Sequence, residues 1–251
     1  MSDPSPARKV RRWALLNAVA VATPTTRPLP PDSVRTTVPR PKDCARVVLI
    51  RHGEAVCNID GVVGGVVGCT GLTDLGVTQV MRLRDRIAMS GELSDTAVLY
   101  SSVLPRALQT AEILRPALAG SAPGTSLEIV EDCSLCELHP GAADGLTWAQ
   151  FSERFGEPNW ESDPLTPISP GGESWLGFVE RAASAVQRIA DSHRGELVVV
   201  ATHAGVVEAT MLSYLPVDPR KLRRGWIRTN HASMTEWERS DRGWTLVHYN
   251  G

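Results

Sequence analysis

Short apolar runs rich in β-branched residues alternate along this chain with longer stretches of helical periodicity. The runs at 46–50 and 196–201 are almost wholly apolar, which is typical of strands buried on both faces of a parallel sheet. Elsewhere apolar residues recur at helical spacing. The pattern predicts strands at 46–50, 96–100, 127–130, 196–201, 234–238 and 244–249, and helices that begin near Thr73, Pro105, Thr147, Glu173 and Val206.

The alternation of strands and helices predicts an α/β fold, a three-layer α/β/α sandwich with a mainly parallel central sheet. We expect this domain to span 44–251, with a small cap insertion around 146–170, where a short aromatic helix is followed by a Pro-rich loop. The last two strands flank Asp241-Arg242-Gly243 and are expected to form a hairpin. Ligands of such sheets bind beyond the carboxyl ends of the strands.

Composition changes the picture mainly at the amino terminus. Residues 1–43 are rich in Pro, Thr and Arg, and we expect a mobile or surface-draped extension. The basic start and the short apolar run at 14–22 leave a secretory signal open as the alternative. The formal net charge of -2 gives the whole protein no attraction to nucleic acid, and no apolar run is long enough to span a membrane.

Five cysteines at irregular spacing make a poor disulfide framework, so we expect reduced thiols in a cytoplasmic protein. Cys133 and Cys136 form a lone C-x-x-C without a second pair of ligands. Because a structural zinc site needs four ligands, the sequence favours ordinary thiols there over a metal site.

Charged and imidazole side chains follow four of the predicted strands, where a ligand of the sheet is expected to bind. These residues are Arg51 and His52 after the first strand, Arg106 after the second, Glu137 after the third and His203 after the fourth. Two guanidiniums and two imidazoles make a cationic pocket, and the planar arginine fork suits phosphate oxygens.

This set of residues contains the groups that phosphoryl transfer needs. A neutral imidazole is a nucleophile near pH 7, and a carboxyl group can protonate a poor leaving group. We therefore expect a metal-independent reaction without a cofactor. The Gly-rich stretch 61–71 lacks both the P-loop ending and the dinucleotide pattern, and is expected to be a flexible loop near the pocket.

Five stretches of the chain resemble, in order, the motifs of the histidine phosphatase superfamily, branch 1, also called phosphoglycerate-mutase-like. The resemblance covers Ala45 to about Tyr249 and rests on R-H-G-E at 51–54, S-V-L-P-R-A-L-Q-T-A at 102–111, E-L-H-P-G-A-A-D-G at 137–145, P-G-G-E-S at 170–174 and T-H-A-G at 202–205. The segment at 69–73 departs from the D-x-P-L-T of many members, so no named substrate is carried over.

The resemblance implies a role for each residue. His52 forms a phosphohistidine, Arg51, Arg106 and His203 hold the phosphoryl group, and Glu137 is the proton donor. The expected substrate-binding residues are Asn58, Gly65 and Ala204.

We expect a phosphatase that acts on a small-molecule phosphate ester of a sugar, a nucleoside or a carboxylate. A mutase is the alternative, although the mutase segment E-R-x-Y-G is here E-L-H-P-G. A non-catalytic phosphate-binding module is another. We expect no nucleic-acid or membrane partner, and leave a homodimer open. The basic run at 220–224 is expected to be a solvated helix face. The alternative is a clamp for a second phosphate or a carboxylate. His231, at the start of a strand, is expected to be structural first, although it could approach the pocket. The aromatic residues after 146 are expected first to form the core of the cap, and second to line an apolar wall of the pocket.

Overall fold

The computed structural model of the chain describes residues 43–118, 127–216 and 227–251. Nearly all of the predicted extension at 1–43 and the basic run at 220–224 lie outside these ranges. Across the ranges described, no helix combines the length and the apolar character that a bilayer span requires.

A six-stranded sheet forms the centre of the domain, in the order β3-β2-β4-β1-β5-β6. The first four strands in the chain run parallel to one another, whereas β5 pairs antiparallel with both β1 and β6. Their bounds are Ala45–Arg51 (β1), Thr96–Ser101 (β2), Ile129–Glu131 (β3), Leu197–Thr202 (β4), Met234–Ser240 (β5) and Gly243–His248 (β6).

Six α-helices and two single-turn 3₁₀ helices, at Cys133–Leu135 and Gly141–Ala143, connect the strands within the described part of the chain. The α-helices are Val56–Ile59 (α1), Asp74–Ser90 (α2), Pro105–Leu118 (α3), Trp148–Phe155 (α4), Trp175–Ser192 (α5) and Ala204–Tyr214 (α6). Side chains of Thr73, Thr147 and Ser174 cap three of them by accepting a hydrogen bond from an amide in the first turn. These caps are why the helices begin where they do.

Helices cover both faces of the sheet and enclose two apolar layers. On one face, α5 and α6 pack against the sheet around Phe178, Val186 and Trp237. On the other face, α2 and α3 cover Val48, Ile50 and Leu99. The central strands β1 and β4 are buried on both faces, which explains the apolar runs at 47–50 and 197–201.

The observed architecture confirms the predicted fold class. The strands and helices lie within a few residues of their predicted bounds, and three differences affect the site. The strand β3 is short and begins at Ile129, α6 begins at Ala204 and not at Val206, and α5 begins at Trp175. His203 is therefore the N-cap of α6, and Glu173 precedes α5, where its carboxylate is available for other contacts.

Candidate active site

His52 lies at the centre of a buried cluster, immediately beyond the carboxyl end of β1. Its backbone amide donates to the carbonyl of Thr202, which fixes the ends of β1 and β4 side by side. The parallel pairing that leads to this point joins Arg51 to Thr202. The motifs at 51–54 and 202–205 therefore meet at one edge of the sheet, as the strand-end argument predicts.

The hydrogen bonds of His52 define which ring nitrogen carries the proton. Nδ1 lies 2.6 Å from the carbonyl oxygen of Gly53 and must donate to it, because a carbonyl only accepts. Nε2 accepts a hydrogen bond from Nε of Arg106 at 3.1 Å. Burial and the charge of Arg106 hold the pKa of His52 well below its ordinary value. The imidazole is therefore neutral near pH 7, with the lone pair on Nε2.

Arg106 enters the cluster from the first turn of α3. Besides its contact with His52, it donates from Nη1 to the carbonyl of Gly64 at 2.7 Å. A Cβ at Gly64 would lie 2.5 Å from Sγ of Cys57, so only glycine lets this carbonyl approach the guanidinium. The Gly-rich loop thus helps to orient Arg106.

Arg51 is held by the segment that precedes β5. It donates from Nη1 to the carbonyl of Thr229, and from Nη2 to Nε2 of His231 at 2.9 Å. Burial lowers the pKa of Arg51 to about 10, so it remains cationic at neutral pH. Burial and the charge of Arg51 lower the pKa of His231 to about 3, and its ring therefore stays neutral.

His203 is fully buried, and its ring centroid lies 5.2 Å from that of His52. The hydroxyl of Ser102 donates to Sγ of Cys136 at 3.2 Å, so its oxygen accepts from Nε2 of His203 at 2.8 Å. Within the described ranges, Nδ1 of His203 has no hydrogen-bond partner. Burial and nearby arginines hold the pKa of His203 well below its ordinary value. A buried nitrogen without a partner is costly unless a ligand pairs with it.

Glu137 approaches the cluster from the loop that follows β3. One carboxylate oxygen accepts from the amide of Gly205 at 3.1 Å, in the first turn of α6, and the other accepts from the amide of Leu138 at 3.2 Å. A Cβ at Gly205 would lie 2.1 Å from Oε1 of Glu137, so the glycine is a steric requirement of this contact.

Arg181, on α5, holds the loop that carries Glu137. Its guanidinium donates to the carbonyls of Ser134, Cys136 and Glu137 at 2.8, 3.1 and 3.3 Å, and forms a bidentate pair with Glu173 at 2.6 and 2.8 Å. Burial opposes ionisation of Glu173, but hydrogen bonds from Arg181 and the amide of His139 keep its pKa below the ordinary value. The P-G-G-E-S motif thus positions the loop of Glu137 through this pair.

The three predicted substrate-binding residues already have contacts or positions of their own. Oδ1 of Asn58 accepts from the amide of Ala55, and Ala204 is the first residue of α6, beside His203. The amide of Gly65 donates to Oδ1 of Asp144, whose carboxylate also accepts from Val67 and Gly68. The Gly-rich loop is therefore fixed by Asp144, in contrast to the flexible loop that its composition indicates.

The aromatic residues of the segment 146–170 pack chiefly on one another and on α5. Trp160 stacks on Trp175 with the ring centroids 5.8 Å apart, and Phe151 is buried beside Trp148. Leu165 is exposed. This arrangement agrees with the expected small core of a cap.

Sequence reasoning ranked the approach of His231 to the site second and missed the role of Arg181. His231 lies in direct contact with Arg51, and its ring centroid is 5.8 Å from that of His52. It precedes an antiparallel strand, whose start lies at the same edge as the carboxyl ends of the parallel strands, and that geometry was the available signal. The role of Arg181 had no sequence signal, because its three carbonyl contacts depend on tertiary packing.

The fold and the two buried imidazoles and two guanidiniums at one sheet edge suit an α/β protein that binds phosphoryl groups. The chain matches the model of the histidine phosphatase superfamily (branch 1) over residues 47–251 and belongs to that superfamily. This confirms the family and the enzyme class, histidine phosphatase, that the motifs indicate.

Two curated relatives from Arabidopsis thaliana are similar to most of the domain. A phosphoglycerate mutase-like protein 4 is 33% identical over 174 residues, which cover 66% of this chain and 70% of that protein. A metal-independent phosphoserine phosphatase is 32% identical over 173 residues, which cover 68% of each chain.

Solved structures show the same fold. A mycobacterial glucosyl-3-phosphoglycerate phosphatase in complex with VO3 superposes with a TM-score of 0.64 at 25% identity, over 82% of this chain and 99% of that one. Bacillus stearothermophilus YhfR superposes with a TM-score of 0.69 at 27% identity, over 82% of this chain and 96% of that one.

Proposed function

We propose that this protein hydrolyses a small phosphate monoester without a metal ion, through a phosphohistidine formed on Nε2 of His52. The observation that carries the proposal is the state of His52. Its Nδ1–H is committed to the carbonyl of Gly53 at 2.6 Å, so the lone pair lies on Nε2, beside the guanidinium of Arg106. A neutral imidazole oriented in this way is an activated nucleophile next to a phosphate-binding group.

In the first step, Nε2 of His52 attacks phosphorus as the P–O bond to the leaving group breaks. The carboxyl group of Glu137 gives its proton to the departing alkoxide. Arg51 and Arg106 balance the charge on the phosphoryl oxygens. The negative charge of the phosphoryl oxygens favours protonation of His203. Its Nδ1, which lacks a partner among the described residues, then donates to one of these oxygens.

In the second step, water attacks the phosphohistidine and the N–P bond breaks. Glu137, now a carboxylate, takes the proton from the attacking water, and inorganic phosphate and neutral His52 are released. The two guanidiniums supply the charge that a metal ion supplies in other phosphatases. The phosphoryl chemistry of this proposal therefore needs neither a metal ion nor a cofactor.

The proposed substrate is a small polar phosphate ester of a sugar, a nucleoside or a carboxylate, and the proposed location is the cytoplasm. The names of a phosphoserine phosphatase and a glucosyl-3-phosphoglycerate phosphatase among the similar proteins support a small-molecule substrate. Hydrolysis is favoured over a mutase reaction because Leu138 and Pro140 stand where the mutase segment E-R-x-Y-G has Arg and Tyr.

The test is phosphate release from a panel of sugar, nucleotide, hydroxyamino-acid and carboxylate phosphates, in the presence of EDTA. We expect wild type to release phosphate from at least one class and His52→Ala to release none. The matched control is His248→Asn, which changes an exposed histidine at the end of the edge strand β6. We expect it to retain the wild-type rate.

A second measurement identifies the intermediate. The enzyme is mixed with a ³²P-labelled substrate and quenched rapidly without acid. Wild type should then carry a label that is stable to base and labile to acid, as a phosphoramidate is. Turnover that persists in His52→Ala contradicts the proposal. Label that moves between positions of the substrate, without release of phosphate, identifies a mutase instead.

A further inference from the structure

Three potential metal ligands meet in the loop that carries Glu137, at a spacing of C-x-x-C-x-x-H. They are Cys133, which begins the 3₁₀ turn Cys133–Leu135, Cys136, which follows this turn, and His139. The two sulfur atoms are 3.7 Å apart, and Sγ of Cys133 lies 3.6 Å from Nε2 of His139. All three donor atoms lie within 4.8 Å of one another. The sequence alone offers the two cysteines as a lone pair, and the fold adds the histidine.

We propose that Cys133, Cys136 and His139 bind a Zn²⁺ ion. Zinc binds thiolate at about 2.3 Å and imidazole at about 2.0–2.1 Å with tetrahedral angles, which places two sulfurs about 3.8 Å apart and sulfur about 3.5 Å from nitrogen. The two distances involving Cys133 agree with these values. A disulfide instead requires an S–S separation of about 2.05 Å, so the thiols lie at the spacing of metal ligands and not of a bond.

Hydrogen bonds within the protein hold the turn that carries the ligands. The carboxylate of Asp132 accepts from the amide of Ser134 at 2.8 Å, and the amide of Cys136 donates to the carbonyl of Cys133 at 3.1 Å. Arg181 binds the carbonyls of Ser134 and Cys136 from α5. The ligands are therefore pre-organised, which lowers the entropic cost of binding an ion.

The surroundings of two ligands suit a bound cation. Oε2 of Glu173 lies 3.7 Å from Nδ1 of His139, the ring nitrogen that faces away from the two sulfurs. A carboxylate behind the ring is a common second contact of a histidine that ligates a metal. The hydroxyl of Ser102 donates to Sγ of Cys136 at 3.2 Å, a contact that helps to orient this sulfur.

The fourth position of the tetrahedron is open to solvent. Cys133 is exposed and His139 is half-buried, whereas Cys136 is buried, so the ion lies at the surface with a water molecule as its fourth ligand. Glu137 lies in the chain between two of the ligands, and Ser102 contacts His203 as well as Cys136. The proposed zinc site therefore adjoins the loop of Glu137, and the proposed transfer of the phosphoryl group, which needs no metal ion, does not use it.

Zinc binding to the full chain, purified under reducing conditions and freed of metal, tests the site. Titration against a chromogenic zinc chelator should show one equivalent per wild-type chain, and elemental analysis after dialysis against zinc should give the same ratio. Co²⁺ in place of zinc should give a thiolate-to-cobalt charge-transfer band and the intense visible absorption of a tetrahedral ion.

Cys133→Ser and His139→Asn should each lose the equivalent of zinc, whereas Cys44→Ser and His248→Asn should keep it. Circular dichroism confirms that each variant is folded, and both ligand variants are at accessible positions, so that folding is retained. His52→Ala should bind zinc as wild type does while losing turnover, which separates this site from the proposed reaction.

Absence of zinc uptake by wild type overturns the proposal, as does uptake that survives in both ligand variants. Loss of two thiols in air, with a Cys133–Cys136 disulfide in the peptide map and no zinc uptake after reduction, overturns it in favour of a redox pair.

Discussion

The two titrating groups closest to the proposed chemistry, His52 and Glu137, have opposite hydrogen-bonding environments. His52 gives its only proton to a carbonyl and keeps Nε2 unprotonated. One oxygen of Glu137 accepts from the amide of Gly205 in α6, and the other accepts from the amide of Leu138, the next residue of its own loop. In the proposed reaction His52 is the nucleophile and Glu137 is the proton donor, which is the division of roles that covalent catalysis with acid assistance requires.

Replacement of the carboxyl group tests the role of Glu137 directly. Glu137→Gln keeps the shape of the side chain but cannot give a proton, so we expect kcat/KM on alkyl phosphates, which reports formation of the phosphohistidine, to fall about 10²- to 10⁴-fold. On 4-nitrophenyl phosphate, whose leaving group departs without a proton, the fall should be much smaller. The measurement is the ratio of the two rates in wild type and variant. An equal loss on both substrates would mean that Glu137 is not the acid.

The residues of this site were identifiable from sequence where a motif follows a buried strand. Arg51, His52 and His203 belong to this group, because the apolar runs of β1 and β4 stop directly before the motifs and so mark where each strand ends. The sequence interpretation left out His139 as a partner of the two cysteines, although the spacing C-x-x-C-x-x-H was the available signal. Its approach to Cys133 depends on a 3₁₀ turn and on Glu173, and neither has a periodic signature.

At the scale of elements, the site depends on how closely the first turn of α6 packs against the loop of Glu137. The sequence predicts that helix from Val206, since its apolar residues start there. The structure begins it at Ala204, and the earlier start places the amide of Gly205 within 3.1 Å of the carboxylate of Glu137. Such contacts between elements have no counterpart in the periodicity of either one, so sequence patterns do not predict them.

Enlarging Gly205 should displace the proton donor while leaving the nucleophile in place. In Gly205→Ala the new Cβ would lie 2.1 Å from Oε1 of Glu137, and the carboxylate must move. We expect slow turnover of alkyl phosphates, with phosphohistidine formation from 4-nitrophenyl phosphate retained. Trapping of labelled enzyme alongside steady-state rates checks both parts.

Gly177→Ala is the matched control, because it adds a Cβ to the exposed face of helix α5, 3.1 Å from the hydroxyl of Ser174. It should leave the rates on both substrates unchanged, since alanine is favoured over glycine within helices. Wild-type turnover of alkyl phosphates by Gly205→Ala would show that the close contact with Glu137 does not position the acid.

At the scale of the whole molecule, the cationic cluster and its carboxylates link stability to pH through Glu208. This residue lies on α6, one turn beyond Ala204, and is mostly buried. Burial raises its pKa from 4.5 to about 7, and the charge of Glu137 adds to the rise. Tyr249 also lies near Glu208. Burial raises the pKa of Tyr249, so the phenol stays neutral near pH 7. Folding therefore favours the protonated form of Glu208.

Because the pKa of Glu208 is higher in the folded chain than in the unfolded chain, its stabilising contribution is complete below about pH 4.5 and is lost as the pH rises through about 7. Glu208→Gln has no such loss. The free energy of unfolding of the variant should therefore rise relative to wild type between pH 5 and pH 8, by about 1–3 kcal/mol, since one pKa unit corresponds to about 1.4 kcal/mol.

Urea unfolding of wild type and Glu208→Gln at pH 5 and pH 8 measures this difference, with Glu180→Gln as the control that removes one exposed carboxylate from α5. The control should change the free energy of unfolding equally at both values of pH, because an exposed carboxylate has similar surroundings in the folded and unfolded chains. A parallel pH dependence of wild type and Glu208→Gln would show that Glu208 is ionised in the folded protein at pH 5. A nearby cation, and not a bound proton, would then neutralise Glu208 beside Glu137.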